Sequence, residues 1–198
     1  MKHASTRELY DYWTSRRRTR AAPERNEIEP GAIRRVLADT FMLNFDPRGG
    51  HPIRIAGTRV CAAFGRELKG AAFTEIWDAD SRQLVHDILA VVATESVGVV
   101  AAASGQSRVG APLGLELLAL PLAHRGGAST RILGALVPTE LPYWLGVETL
   151  GALALGTIRY LGPQTAPRAP SLRSPARRGG LRWGRARQGL LVYDGDRA

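Results

Sequence analysis

RIAGTRVCAAFGRELKGAAFTEIW, residues 54–77, is the stretch on which the fold turns. An extended run ends at Thr58, short apolar steps follow, a Gly-Arg-Glu-Leu-Lys-Gly turn intervenes, and Phe73 and Trp77 close the segment. The steps at residues 59–68 are spaced for a short helix, which Gly70 is expected to end. Such a segment either walls a small-molecule pocket or wraps a core, and Cys61 raises the question of a cofactor.

On the N-terminal side, FMLNFD (Phe41 to Asp46), the turn-rich PRGGH and the alternating PIRIAGT read as a hairpin with Ile53 and Ile55 on one face. Earlier still, Ser5 and Glu8 have capping-box spacing, and Leu9, Tyr12 and Trp13 form a narrow apolar stripe on the helix that follows. A stripe that narrow must dock, either on its own domain or on a partner copy. A second short helix is expected after Pro30, with Ile33, Val36 and Leu37 inward.

On the C-terminal side, a helix is expected from Asp78 or Asp80 to about Glu95, with Leu84, Val85, Ile88, Leu89 and Val92 as its apolar face. Aspartates at that position read as caps. Strands follow from Val97, Leu113 and Thr130; Tyr143 and Trp144 are expected to fold back on the body, and Leu153 to Tyr160 forms a last extended segment. The β-β-α-α-β-β-β order predicts an α+β fold: a five-stranded antiparallel sheet with helices on one face, plus the N-terminal helix.

Charge divides the chain. The net +9 resides in the ends: residues 1–25 hold seven Lys/Arg against three acids, and residues 163–198 hold eight Arg against two. The body between them is almost neutral, which argues against the whole fold being a nucleic-acid binder. The expected organisation is therefore an amphipathic helix and basic linker over 1–25, a domain over 26–162, and an Arg/Pro-rich disordered tail over 163–198. One cysteine excludes an internal disulfide and fits a reducing compartment. The longest apolar run, from Ile88, is interrupted by Glu95 and is too short to span a bilayer, and the N-terminus lacks a signal-peptide core. A cytoplasmic location is expected.

The order of elements resembles a PAS domain. More narrowly, Tyr12-Trp13, Arg54 to Gly70, Phe73 to Trp77, Leu115 to Leu122, Ile132 to Leu136 and Pro142 to Gly146 are similar to motifs of a PAS-like family of small bacterial proteins of about 200 residues. Many of those proteins come from alpha-proteobacteria. The resemblance covers residues 5–161 and implies a sensory or regulatory module in bacterial signalling, with no known reaction.

In such folds a ligand lies between sheet and helices. The pocket candidates are Phe41, Ile55, Phe64, Phe73, Trp77, Val85 and Leu89, joined by Leu115 and Leu117 if Glu116 points outward. A filled core is the competing reading of the same residues. No cofactor is expected. A flavin adduct would need a cysteine where Phe73 stands, and Cys61 lies a segment too early. His86, followed by Asp87, matches the helix that carries the iron ligand in haem-binding PAS sensors, but a lone histidine is a weak metal signal. It is read as a surface or boundary residue. His3, His51 and His124 show no ligand spacing.

No catalytic constellation stands out. Gly105-Gln106-Ser107-Arg108-Val109 lacks the second glycine of a nucleophile elbow, and there is no P-loop, dinucleotide fingerprint or zinc-protease motif. The chain is read as a non-enzyme that acts by binding a small hydrophobic ligand, another signalling protein or a second copy. Leu9, Tyr12 and Trp13 are the docking or dimerisation candidates. The alternative is an adaptor on nucleic acid or anionic membrane, held through Arg177, Arg178, Arg182, Arg185 and Arg187.

Overall fold

The structure is a computed structural model that describes residues 1–124 and 127–162, apart from the side chains of 124–130. The tail assigned to 163–198, with its five candidate arginines, lies outside the described residues. Helices α1 (Ala4–Arg17), α2 (Thr58–Phe64) and α3 (Ala79–Glu95) accompany strands β1 (Thr40–Asn44), β2 (Ile53–Ala56), β3 (Gly98–Gln106), β4 (Pro112–His124), β5 (Gly127–Pro138) and β6 (Ala154–Leu161). All strand pairs in the sheet are antiparallel, in the order β2-β1-β5-β4-β3-β6.

The sheet thus has six strands where five were expected. The last extended segment is a full strand because the outer edge of β3 is otherwise unpaired. β6 fills it from Gly98↔Leu161 to Ser104↔Ala154, and Leu155 N–H is anchored by the Ser81 hydroxyl on α3 at 2.8 Å.

Each face of the sheet has its own core. Phe41, Leu43, Leu115, Leu117 and Ile132 face α2 and α3, whereas Met42, Leu118, Leu120, Leu133 and Ala135 face α1 and the segment after it. The alternation follows from the period of two in a strand. Leu115 and Leu117 lie on the α3 side, as their parity requires. Gly134 sits opposite Phe41 on β5, and a Cβ there would lie 2.2 Å from the Phe41 ring and 2.5 Å from the Leu118 carbonyl oxygen. Glycine at this position leaves the Phe41 ring its room against β5.

Several local expectations change. α1 is capped by His3, whose Nδ1 accepts from Ser5 N–H at 3.1 Å, so Ser5 lies inside the helix and the Ser5–Glu8 box is not its start. After Pro30 the chain makes 3-10 turns at Pro30–Ile33 and Leu37–Asp39; interrupted runs of three or four residues cannot repay an α-helical nucleus. Ile33 and Val36 are buried, but Leu37 is exposed. α2 ends at Gly65, not Gly70, because Gly65 takes the left-handed conformation (φ +62) and its N–H turns back to the carbonyls of Cys61 and Ala62. On α3 the Asp78 cap is as expected, accepting from Ser81 N–H at 2.8 Å, while Leu84 is exposed and Val85, Ile88, Leu89 and Val92 form the buried stripe. Beyond β5, Trp144 packs on the core, but Tyr143 is 97% exposed.

Candidate functional site: the helix-covered face and a buried histidine

Seven of the nine pocket candidates converge on one place. Phe41, Phe73, Trp77, Val85, Leu89, Leu115 and Leu117 are all buried between the sheet and α3. Phe73 lies 4.8 Å from Phe41 and 6.0 Å from Trp77, centroid to centroid, the second pair edge-on. Phe64, at the end of α2, packs against their margin. Phe41, Phe73 and Trp77 are among the largest fully buried side chains, and they occupy the space between sheet and helices themselves.

Ile55 does not join them. β2 carries a bulge: Met42 pairs with Ile55 and its neighbour Leu43 with Ile53, which leaves Arg54 as the extra residue. A bulge breaks the period of two. Ile53 enters the α3-side core, whereas Ile55 turns to the opposite face and is 51% exposed. Ile55 is therefore removed from the pocket candidates.

The quoted stretch also holds the layers together. Gly57 N–H donates to Thr40 O at 2.7 Å, and a Cβ on Gly57 would lie 2.3 Å from Ala38 O, so the strand-to-helix turn is pressed against the preceding segment. Next to it Arg59 makes a two-pronged pair with Asp39, 2.6 Å for each bond, and the Asp39 side chain is almost fully buried. Cys61 is half-buried, with Sγ 3.7 Å from Glu67 Oε1 and 4.0 Å from Ala56 O.

His86 lies at the boundary of the body, not in the pocket. Its Nε2 is 3.0 Å from Pro47 O and its Nδ1 is 3.4 Å from Asp87 Oδ1. Its ring leans on a second histidine that spacing did not single out. His51 is fully buried in the β1–β2 turn, stacked on Phe45 at 5.3 Å and 4.8 Å from His86. Its backbone is left-handed (φ +61). His51 Nδ1 accepts the Asp46 N–H at 3.2 Å, so the proton of the neutral ring belongs on Nε2, where no partner is found. Burial, reinforced by the nearby His86, lowers the His51 pKa to about 4. Trp77 Nε1 is likewise buried without a partner. Sequence spacing missed His51 because the pair is thirty-five residues apart and meets only when the hairpin turn folds over α3.

The docking-helix candidates are consumed within the chain. Leu9 and Trp13 are buried against the sheet's second face, and Trp13 Nε1 donates to Pro121 O at 2.8 Å. Tyr12 is half-buried; its hydroxyl donates to Glu27 O and accepts from Glu29 N–H. Of the two docking surfaces expected for this helix, its own domain is the one used, so Leu9 and Trp13 are not free for a partner copy. Glu116 points away from α3, as its parity requires, but not into solvent. It is buried beneath the start of α1, accepting from Lys2 N–H at 2.6 Å, His3 N–H at 3.1 Å and the Thr6 hydroxyl. Burial alone would raise its pKa, yet the Thr6, Lys2 and His3 hydrogen bonds outweigh it and hold the carboxyl below the usual range. Among the described residues no group of three or more His, Cys, Asp or Glu could hold a metal ion, and no helix is long and apolar enough to cross a membrane.

Residues 1–137 match the PAS domain family, and the chain belongs to it. The match takes in α1 and ends at β5, so β6 lies beyond it. A solved structure of an RsLOV variant is similar over 55% of this chain and 64% of its own, at 17% identity and a TM-score of 0.41. This chain spans less than two thirds of that structure. No curated protein matches. Membership of the PAS family assigns a sensory or regulatory module in general terms.

Proposed function

We propose that this PAS domain is a regulatory module that acts by binding another protein and carries out no turnover. The observation that supports this reading is the filled space between sheet and α3, where Phe41, Phe73 and Trp77 stand in mutual ring contact. A planar cofactor would have to displace side chains that together hold this face of the sheet on its helices. Haem on His86 fits poorly for a separate reason. The Nε2 that would meet iron is engaged with Pro47 O, and the residue sits outside the Phe41–Phe73–Trp77 cluster. The surfaces of the module are then what remains for communication.

The test is an absorption spectrum together with a native mass spectrum of the purified full chain. A colourless protein whose mass equals the chain or an integral multiple of it is the expected result. A visible band, or an added mass of several hundred daltons that disappears on denaturation, would overturn the reading.

A further inference from the structure

Residues 46–51 lie in the turn between β1 and β2, and they reach α3. Pro47, Arg48 and Gly49 face solvent, whereas His51 is fully buried. Donors from two other elements hold the turn down. His86 Nε2–H on α3 donates to Pro47 O at 3.0 Å. From the 3-10 turn Phe73–Ile76, the N–H groups of Phe73 and Thr74 donate to His51 O and Gly50 O, each at 3.2 Å. The His51 ring packs against both Phe45 and His86. Its backbone carbonyl joins the turn to Phe73, a member of the ring cluster between sheet and α3.

The closed turn suits only the neutral ring. His51 Nδ1 accepts the Asp46 N–H, and the proton on Nε2 has no acceptor. A second proton would enter at Nδ1 and set two N–H groups against each other at 3.2 Å. The result is a buried cation with an acceptor on neither nitrogen and the His86 ring 4.8 Å away. Charged groups on the surrounding elements do not supply that acceptor. On the turn, the Asp46 carboxylate takes the Arg48 N–H, and Arg48 is exposed. On α3, Asp87 lies 3.4 Å from the Nδ1 of His86, and Arg82 donates to Trp77 O. Glu75, on the Phe73–Ile76 turn, is exposed. Burial is the largest influence on His51, His86 adds to it and Asp46 opposes it, which together lower its pKa to about 4.

We propose that the His51–His86 contact is an acid-operated latch: a proton taken up by His51 releases residues 46–51 from α3 and from Phe73 while the sheet stays folded. In the open turn both ring nitrogens meet water, and the left-handed backbone of His51 relaxes. A short turn with an exposed tip, held by a few hydrogen bonds, belongs to the low-stability end of a fold, so it opens before the strands do. The closed form is favoured above the ordinary histidine value of 6.5 and loses ground as pH falls toward 4. Release removes the acceptor of the Phe73 N–H, so the ring cluster is the element that receives the signal. The latch goes beyond the protein-binding reading and works within the chain whatever the partner.

The experiment is amide hydrogen exchange of the full chain, followed by NMR between pH 7 and 4.5 and corrected for the intrinsic pH dependence of exchange. Expected is a loss of protection at Phe73 and Thr74 of up to about tenfold per pH unit below 6.5, while Leu118 and Ala135 in the middle of β4 and β5 keep theirs. The His51 ring resonances should titrate over the same range, which links the proton to the opening without any variant. His51→Asn takes up no proton and tolerates the left-handed backbone, so it should remove the pH dependence at Phe73 and Thr74; circular dichroism verifies its fold. Protection at those two amides that does not change with pH would overturn the proposal. An equal fall across β4 and β5 would do the same, because it reports unfolding of the whole domain. So would a loss of the same size in folded His51→Asn, or His51 resonances that titrate apart from the opening.

Discussion

The hydroxyl of Thr6 on α1 donates to the carboxylate of Glu116 on β4, two residues separated by 110 positions in the chain. The same carboxylate accepts the backbone N–H groups of Lys2 and His3, so one acidic side chain from the sheet serves the donors at the head of α1. Glu116→Ala would leave the Lys2 and His3 N–H groups unserved, the Thr6 hydroxyl keeping the His3 carbonyl oxygen as an acceptor, and is expected to cost about 1–3 kcal/mol. Hydrogen exchange reads the location of the loss: α1 amides should exchange faster while those of α3 keep their protection. Equal acceleration in both helices would mean that Glu116 supports the whole fold and not the docking of α1.

His51 and Glu116 act in different pH windows. His51 has a folded pKa of about 4 against an ordinary 6.5, so the unfolded chain takes up the proton first. Its contribution is present above 6.5, lost progressively as pH falls toward 4, and reaches at most about 3 kcal/mol. Glu116 has its folded pKa lowered, so its contribution is present above the ordinary carboxylate range and is lost only as pH falls below it. Urea denaturation at intervals from pH 7 to 4 should show stability declining. His51→Asn, which tolerates the left-handed backbone, should flatten that decline.

Gly134→Val should be among the most damaging single changes. Its Cβ would meet the Phe41 ring at 2.2 Å, and the ring already packs against Phe73, 4.8 Å between centroids. Overpacking of this kind costs about 1–3 kcal/mol for small insertions. Combining it with Phe41→Leu should recover part of the loss, and a double mutant no more stable than Gly134→Val alone would show that the clash lies with the backbone of β4 instead.

Arg59→Met would strip the buried Asp39 carboxylate of both its short hydrogen bonds. Loss of about 1–3 kcal/mol is expected from the unserved acid. Asp39→Asn in the same chain should relieve part of it, and a double-mutant cycle by thermal melting gives the coupling.

The sheet and its crossing helix were legible because both rest on periodicity. Alternation in β3 to β5 and the stripe of Val85, Ile88, Leu89 and Val92 survive any reasonable error in the boundaries. What periodicity could not supply was a break in it. The bulge at Arg54 sends Ile55 to the wrong face for a strand read as regular, and it requires the pairing partner Met42 to be known. Glu116 illustrates a second limit. Parity places it opposite Leu115 and Leu117 and so outward from that core, but parity does not reveal the second layer, α1, that lies above it. The site candidates on α3 and β4 could be grouped from pattern, while His51 needed the turn geometry.

The attachment of α1 carries a consequence for the order of events in synthesis. Leu9 and Trp13 emerge from the ribosome before the β4 residues that cover them, Leu118, Leu120 and Leu122, and before Pro121, which accepts from Trp13, all over one hundred residues later. At about 5–20 residues per second the helix waits on the order of ten seconds with its apolar stripe uncovered. For that interval the nascent chain presents Leu9 and Trp13 to whatever is near, and a slow or stalled β4 lengthens the exposure of that stripe.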